Sequence, residues 1–305
     1  MFSQVQLHYF VTVSEEGQIT RAARRLHLAQ PALSQAIAHL ESELGIDLFV
    51  RHPRGVTLTR AGEAFLVKAR AALAAEAETA QMGLSLRRAA SAAIVVGFVG
   101  PPPMVSTPAL FATFAERNPD AQISFRDLPF PRGATTTWLA DVDVAVCQLP
   151  MSEQGVSVQP VRVEPRAVVA HRGHALAEHP EVDVADVLEE TFVSYHPEVQ
   201  PTWAGFHSLD DHRGGPPRRV TSDNALTSLQ MLGIMSSPRA ITTVPYADAK
   251  LARQVLPNIV AIPLRDAAPA AVSLVWREGA GNPLLEDLVQ AATRLASGGD
   301  ELDEL

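Results

Sequence analysis

Residues 18–62 read QITRAARRLHLAQPALSQAIAHLESELGIDLFVRHPRGVTLTRAG. Thr20 offers a side-chain oxygen to the first free N–H groups of a helix expected over Arg21 to about His27. Ala22 and Ala23 are small enough to let a second helix approach closely, and Leu26 adds a buried contact. Gln30-Pro31 restarts the helix, because a proline at the first helical position forfeits no hydrogen bond and already has helical φ. Leu33, Ile37, Leu40 and Leu44 then form one apolar stripe at helical spacing. Gly45 suits the residue that ends such a helix.

The stripe leaves Gln30, Ser34, Gln35, Ala38 and His39 on the other faces. A glutamine can pair with N6 and N7 of adenine, and a serine can reach a base or a phosphate. Short polar side chains beside small ones fit a major groove, where bulky apolar groups would be left in water. An ordinary amphipathic surface helix has the same stripe, but it is not preceded by a short helix and tight turn or followed by a basic hairpin. That hairpin is Arg51-His52-Pro53-Arg54-Gly55-Val56-Thr57-Leu58-Thr59-Arg60. Leu48, Phe49, Val56 and Leu58 anchor it, leaving guanidinium groups free for phosphate or a narrow minor groove. The set expected to face double-stranded DNA is Thr20, Arg21, Gln30, Pro31, Ser34, Gln35, His39, Arg51 and Arg54.

The segment resembles the winged helix-turn-helix of LysR-type transcriptional regulators. The matching positions are Ala22-Ala23, Leu26, Gln30-Pro31-Ala32-Leu33-Ser34, Ile37, Leu40-Glu41, Leu44-Gly45, Leu48-Phe49, Arg51 and Leu58-Thr59-Arg60-Ala61-Gly62. The resemblance implies that Gln30, Pro31, Ser34 and Gln35 face the major groove and that Arg51 and Arg54 hold the flanking backbone. It makes Gln35 a candidate for site choice, since the family varies there.

From Thr59 a long helix is expected, with Phe65, Ala69, Ala72, Leu73, Ala77, Ala80 and Leu84 on one face. At ~1.5 Å per residue its span is about 40 Å. The resemblance implies a linker helix paired antiparallel with that of a second subunit, so Phe65, Ala69, Ala72, Leu73, Ala80 and Leu84 are the candidate dimerisation residues. Packing inside its own chain is the alternative.

The chain has 305 residues, 47% of them hydrophobic, enough for two or three cores. The net charge of −9 is unevenly spread. Residues 1–90 carry ten Lys/Arg and eight Asp/Glu, the rest fifteen and twenty-six. The acidic excess therefore lies outside the basic head. Phosphate binding should rest on a few arginines per subunit, doubled by dimerisation. With one cysteine, Cys147, no intrachain disulfide can form. The start lacks a signal pattern and no run has membrane-spanning length, which suits a cytoplasmic protein with no membrane partner.

Beyond residue 90, Ile94–Gly100, Ile123–Arg126, Asp143–Cys147, Arg166–Ala170 and Phe192–Tyr195 read as strands alternating with helices, an α/β pattern with a largely parallel core. By resemblance this part is two α/β lobes of the type 2 periplasmic-binding-protein kind clasping a small effector. The first lobe would hold about 92–163 and 267–296 and the second about 164–266, with the hinge near Val163-Glu164-Pro165 and Leu264–Pro269. The domains expected are a winged helix-turn-helix over 1–60, a linker over 61–90, an effector domain over 91–296 and a disordered acidic tail over 297–305.

Ligands in such folds lie beyond the C-terminal ends of strands. Here Val99-Gly100-Pro101-Pro102-Pro103 follows the first strand, where the family pattern has a Ser or Thr that binds a carboxylate. Three prolines remove three donors, which puts a small carboxylate in doubt and favours a larger or less polar ligand, or none. The candidate effector residues are Val99, Gly100, Pro101, Pro102, Phe130, Tyr195, His196, Thr202, Trp203, Ser222 and Thr243.

His171, His174 and His179 suggest a metal, but zinc needs ligands converging on one point, with thiolate or carboxylate support. A sensor thiol wants exposure and basic neighbours, whereas Cys147 reads as a core residue. No nucleophile–base set and no phosphate loop appears, so neither a metal nor a cofactor is expected. The reading is a sequence-specific transcriptional regulator, not an enzyme. It would act as a homodimer or homotetramer under a small-molecule effector, with RNA polymerase as a further partner. The rival is a solute-binding or enzymatic α/β protein with an incidental helix-turn-helix. A third possibility is a regulator with a degenerate pocket.

Overall fold

The computed structural model describes residues 2–101 and 107–297. Pro102, expected in the effector site, and the acidic stretch 298–305 lie outside the described residues. The chain divides into two compact units, Met1–Ala80 and Gln81–Leu305.

The first unit holds α1 (Gln4–Glu16), α2 (Ile19–Arg25), α3 (Gln30–Leu44), the hairpin β1 (Phe49–His52) and β2 (Gly55–Leu58), and the first part of α4 (Arg60–Ala90). The sequence reading places no helix before residue 20, yet α1 carries a clear signal. Ser3 and Gln6 form a reciprocal capping box, with the Ser3 N–H donating to Gln6 Oε1 at 2.6 Å. Leu7, Phe10 and Val11 give α1 its buried face, and Gly17 ends it at φ 62°.

Two local expectations are corrected. Helix α2 begins at Ile19, with Gln18 at its N-cap and no side-chain cap, so Thr20 is an exposed first-turn residue. The Gln18 amide donates instead to the Arg54 carbonyl at 2.8 Å, tying the helix entrance to the wing. On α4, Phe65, Ala69 and Leu73 pack into the head's own core, Phe65 against Phe10 at 5.2 Å between ring centres and Ala69 buried. These three side chains are spent within their own chain. Ala72, Ala80 and Leu84 remain exposed.

Leu33, Ile37 and Leu40 turn the stripe of α3 inward onto Phe10, Ala22 and Ala23. The Glu41 carboxylate accepts from the Leu48 and Phe49 N–H groups at 2.8 and 3.0 Å, pinning the start of the wing to α3. Thr59 caps α4 by accepting from the Gly62 N–H at 2.9 Å and donating to the Asp47 carbonyl at 2.8 Å. Gly62 is required by space, because a Cβ there would lie 2.1 Å from the Leu48 carbonyl oxygen.

In the second unit, β3 (Ala93–Phe98), β4 (Gln122–Asp127), β5 (Val144–Gln148), β6 (Val156–Glu164) and the late strand β12 (Ala270–Arg277) form one sheet, ordered β4-β3-β5-β12-β6. The other sheet is ordered β11-β7-β10-β8-β9, from β7 (Arg166–His171), β8 (Phe192–Tyr195), β9 (Val220–Ala225), β10 (Ile241–Pro245) and β11 (Ile259–Pro263). The core is mixed rather than largely parallel. In each sheet one strand runs against its neighbours, β12 in the first and β7 in the second. These are the two strands that the chain enters on crossing from the other sheet. Only Pro165 separates β6 from β7.

Helices Pro108–Arg117 and Pro283–Ser297 cover the first sheet through Leu110, Phe111, Phe114, Leu285 and Leu288. A buried carboxylate, Asp143, accepts from the Val95 N–H at 2.9 Å and pairs with Arg88 at 3.0 Å. His174 accepts from the Leu176 N–H at 3.2 Å, capping a short 3-10 turn. A third apolar cluster joins the two sheets through Val99, Phe130, Val169, Trp203 and Val244. No helix among the described residues is long and apolar enough to cross a membrane.

Gly62→Ala should overpack the α4–wing junction and lower stability by about 1–3 kcal/mol. Urea unfolding followed by circular dichroism checks this, and an unchanged midpoint would show that the junction can give way.

Candidate nucleic-acid interface and ligand cavity

With the stripe of α3 buried, its opposite side is open to solvent. Gln30, Pro31 and Gln35 are exposed and Ser34 is half-buried. One Arg51 guanidinium nitrogen lies 3.5 Å from Ser34 Oγ, so the wing and α3 converge on one face. Thr20, Arg51 and Arg54 line a shared groove between the start of α2 and the wing. Gly55 closes that groove from behind: its φ is +146°, and a Cβ would fall 2.2 Å from the Gly17 carbonyl oxygen.

Two residues of the expected DNA set have other partners. His39 Nδ1 is 3.2 Å from Gln6 Nε2 and 3.5 Å from Glu43, a polar cluster that joins α3 to α1. The Arg21 guanidinium donates to the Glu16 carbonyl and lies 3.8 Å from its carboxylate.

The second unit contains a cavity of about 410 Å³ at the junction of the two sheets. One wall is aromatic. Helix Pro201–His207 sets Trp203 and His207 four residues apart on one face, with ring centres 4.1 Å apart, and Phe130 lies 4.5 Å from Trp203. Gln200 holds the entry to that helix by accepting from the Ser152 N–H at 2.8 Å and donating to Thr135 Oγ1 at 3.0 Å. The opposite walls are aliphatic, from Met231 and Leu232 on helix Ser228–Met235 and Leu251, Ala252 and Val255 on helix Tyr246–Val255.

One end is polar and spans the two sheets. Asp248, in the first turn of helix Tyr246–Val255, accepts from the Gln148 amide and from the Arg162 guanidinium, each at 2.7 Å. Arg162 also lies 2.8 Å from Glu164, whose carboxylate accepts from the Ala247 N–H at 2.9 Å. Burial pushes the Asp248 and Glu164 carboxyls up, against the opposing pull of Arg162.

His207 is buried, and Nδ1 lies 2.5 Å from the Thr243 carbonyl oxygen. A carbonyl only accepts, so Nδ1 carries the proton and Nε2 is an unprotonated acceptor, without a partner. Burial lowers the pKa of His207 to about 3, and nearby Arg166 adds to the effect. Arg166 is itself fully buried, stacked 3.9 Å over the Phe206 ring and donating to Thr243 Oγ1 and the Phe206 carbonyl. Burial brings its pKa down to about 10.

Of the expected effector residues, Val99, Gly100, Pro101, Phe130 and Trp203 line this cavity. Tyr195 and Thr243 lie behind the lining, Tyr195 with its hydroxyl 2.9 Å from Thr242 Oγ1 and Thr243 held by His207 and Arg166. Three expectations are corrected. His196 accepts from the Glu198 N–H at 3.3 Å in a turn, Thr202 is exposed on its helix, and Ser222 is exposed on the edge strand β9. Sequence reasoning missed Gln148, His207 and Asp248. The only signals were His207 four residues after Trp203 and an acid inside the otherwise amphipathic helix Tyr246–Val255. Cys147 is buried, and burial pushes its thiol up to about 12, out of the range of a reactive thiolate.

Because His207 stays neutral when folded, the unfolded chain takes up a proton below pH 6.5 that the folded chain refuses until about 3. Stability should therefore fall as pH drops through this window, by up to about 1.4 kcal/mol per pH unit from this residue. Urea midpoints between pH 4 and 7 should show a steeper decline for the wild type than for His207→Phe, and parallel curves would refute the assignment.

The comparisons with known proteins agree with this division. Residues 5–63 match the bacterial regulatory helix-turn-helix protein, lysR family, and residues 87–297 match the LysR substrate binding domain. The chain is 30% identical to the transcriptional regulator TfdS of Cupriavidus pinatubonensis, over 95% of this chain and 97% of that protein. It is 29% identical to the Hca operon transcriptional activator HcaR of Escherichia coli, over 95% and 97%. Among solved structures it resembles CbnR complexed with its target DNA, at 26% identity and TM-score 0.50 over 97% of this chain and 100% of that one. It also resembles full-length BenM, at 25% identity and TM-score 0.52 over 97% of each. A helix-turn-helix with a basic wing, followed by a two-lobed domain enclosing a cavity, together with these matches, places the chain in the LysR family of helix-turn-helix transcriptional regulators.

Proposed function

We propose that α3 docks in the DNA major groove, with Gln30, Pro31, Ser34 and Gln35 toward the bases and Arg51, Arg54 and Thr20 on the flanking backbone. The observation that carries this reading is the convergence of the exposed side of α3 with the wing arginines on one face, through the Arg51–Ser34 contact. The match to CbnR, solved with its target DNA, supports it. Residues 1–60 act as the DNA-binding domain and 61–90 as the linker. Two copies of the chain pair so that two heads meet two half-sites, and Val67, Ala72, Ala80 and Leu84 are exposed on α4 for such a contact.

Residues 91–296 act as the effector domain, with the lobes divided at Pro165 and near residues 264–269. A small molecule in the cavity shifts the balance between two lobe angles, and hence the spacing of the heads, only as far as it binds one arrangement better. The protein acts in the cytoplasm through RNA polymerase and not as a catalyst, and the cavity wall fits this because its described residues offer no nucleophile paired with a base.

Gln35→Ala should change sequence preference, since a bidentate base contact contributes ~1–3 kcal/mol of discrimination. Arg54→Ala should weaken binding to all sequences alike and flatten the salt dependence. Binding curves for both variants across site variants and salt concentrations check this, and exchanged phenotypes would reverse the roles.

A further inference from the structure

The charge inventory of the cavity narrows its ligand. Among the described residues, no lysine or arginine lines it, and its one acidic lining residue is Asp248. Two guanidinium groups lie just outside the lining: Arg166 is buried behind it and donates to Thr243 Oγ1 and the Phe206 carbonyl, while Arg162 is committed to two carboxylates, Asp248 at 2.7 Å and Glu164 at 2.8 Å. At the polar end, where Asp248, Arg162 and Glu164 meet, no positive charge is left to spare. The starts of the two helices that form the aliphatic walls are also satisfied. Asp248 occupies the first turn of helix Tyr246–Val255, and Thr227 caps helix Ser228–Met235 by accepting from the Gln230 N–H. An incoming carboxylate would meet Asp248 without a counter-ion. A free ammonium would lose its hydration against mostly apolar walls.

Two lining side chains point to what is wanted instead. His207 and Trp203 are 1% and 2% exposed, and each has a ring nitrogen without a partner. His207 Nε2 is an acceptor, fixed by the Nδ1–H bond to Thr243, while Trp203 Nε1 is a donor. A hydroxyl is a neutral group that can donate to the imidazole nitrogen or accept from the indole N–H.

We propose that the cavity selects an uncharged, mostly apolar molecule carrying a hydroxyl and turns carboxylates away. This deepens the effector reading above and rests on it. The test uses the full-length protein and three probes of one ring system: naphthalenemethanol, naphthoate and naphthylmethylamine. Calorimetric titration should give the alcohol an affinity at least about tenfold above either charged probe. In Asp248→Asn the naphthoate deficit should shrink, because the repelling charge is gone while the amide can still bond to Gln148. Equal or tighter binding of naphthoate or the amine by the wild type overturns the proposal, as does binding of none of the three. An unchanged naphthoate deficit in Asp248→Asn overturns the role given to that residue. Retention of random DNA duplexes by the same preparation is read separately. Its loss would sink the regulator reading, whereas the probe ranking speaks only to the cavity.

Discussion

The Asp248 carboxylate is the bolt between the two halves of the effector domain. It belongs to a helix that follows a strand of the second sheet, yet both of its hydrogen-bond partners, Gln148 and Arg162, come from the first. Glu164 makes the reverse connection, reaching from β6 to the Ala247 N–H. Buried ionic groups of this kind are not strong sources of net stability, because desolvation offsets most of their attraction. Their directional bonds do fix geometry. This network sets the sheets' separation at the crossover, and the space left beyond it is the cavity.

That arrangement leaves the arginine beside the polar end of the cavity with no free positive charge to offer there. The guanidinium is consumed in holding the lobes together, so it is a structural cation rather than a ligand-binding one. The aromatic wall has a comparable double role. Trp203 and His207 are core residues by burial, yet both lie on the lining. Arg166 and Thr243 support them from behind and hold the imidazole in one tautomer.

In the head, two close backbone approaches do similar work. Gly55 against Gly17 and Gly62 against Leu48 leave no room for a Cβ, and Glu41 adds two hydrogen bonds to the same junction. The wing is thereby held rigidly beside α3, which lets Arg51 and Ser34 share one face. The Phe65, Ala69 and Leu73 stripe of α4 closes this core from below, so the helix is anchored to its own head before any partner is considered.

Periodicity and turn chemistry were enough to place α3, its inward stripe, the Gly45 stop and the wing, because those signals are local and the family pattern has fixed spacing. The strand segments beyond residue 90 were legible for the same reason. The α1 capping box of Ser3 and Gln6 is an equally local signal. The bonds of Gln18 to the wing and of His39 to Gln6 were not readable, since each joins residues more than thirty positions apart. The cavity was half legible. Val99, Gly100, Pro101, Phe130 and Trp203 follow from strand ends and aromatic content, whereas Gln148, His207 and Asp248 become neighbours only when the two sheets meet. Sequence alone thus determined which segments fold and which face of the recognition helix is free, because both depend on spacing along one element. Only the tertiary structure decided which charges are already spent and which polar atoms lack a partner, because pairing is set by distance across the fold.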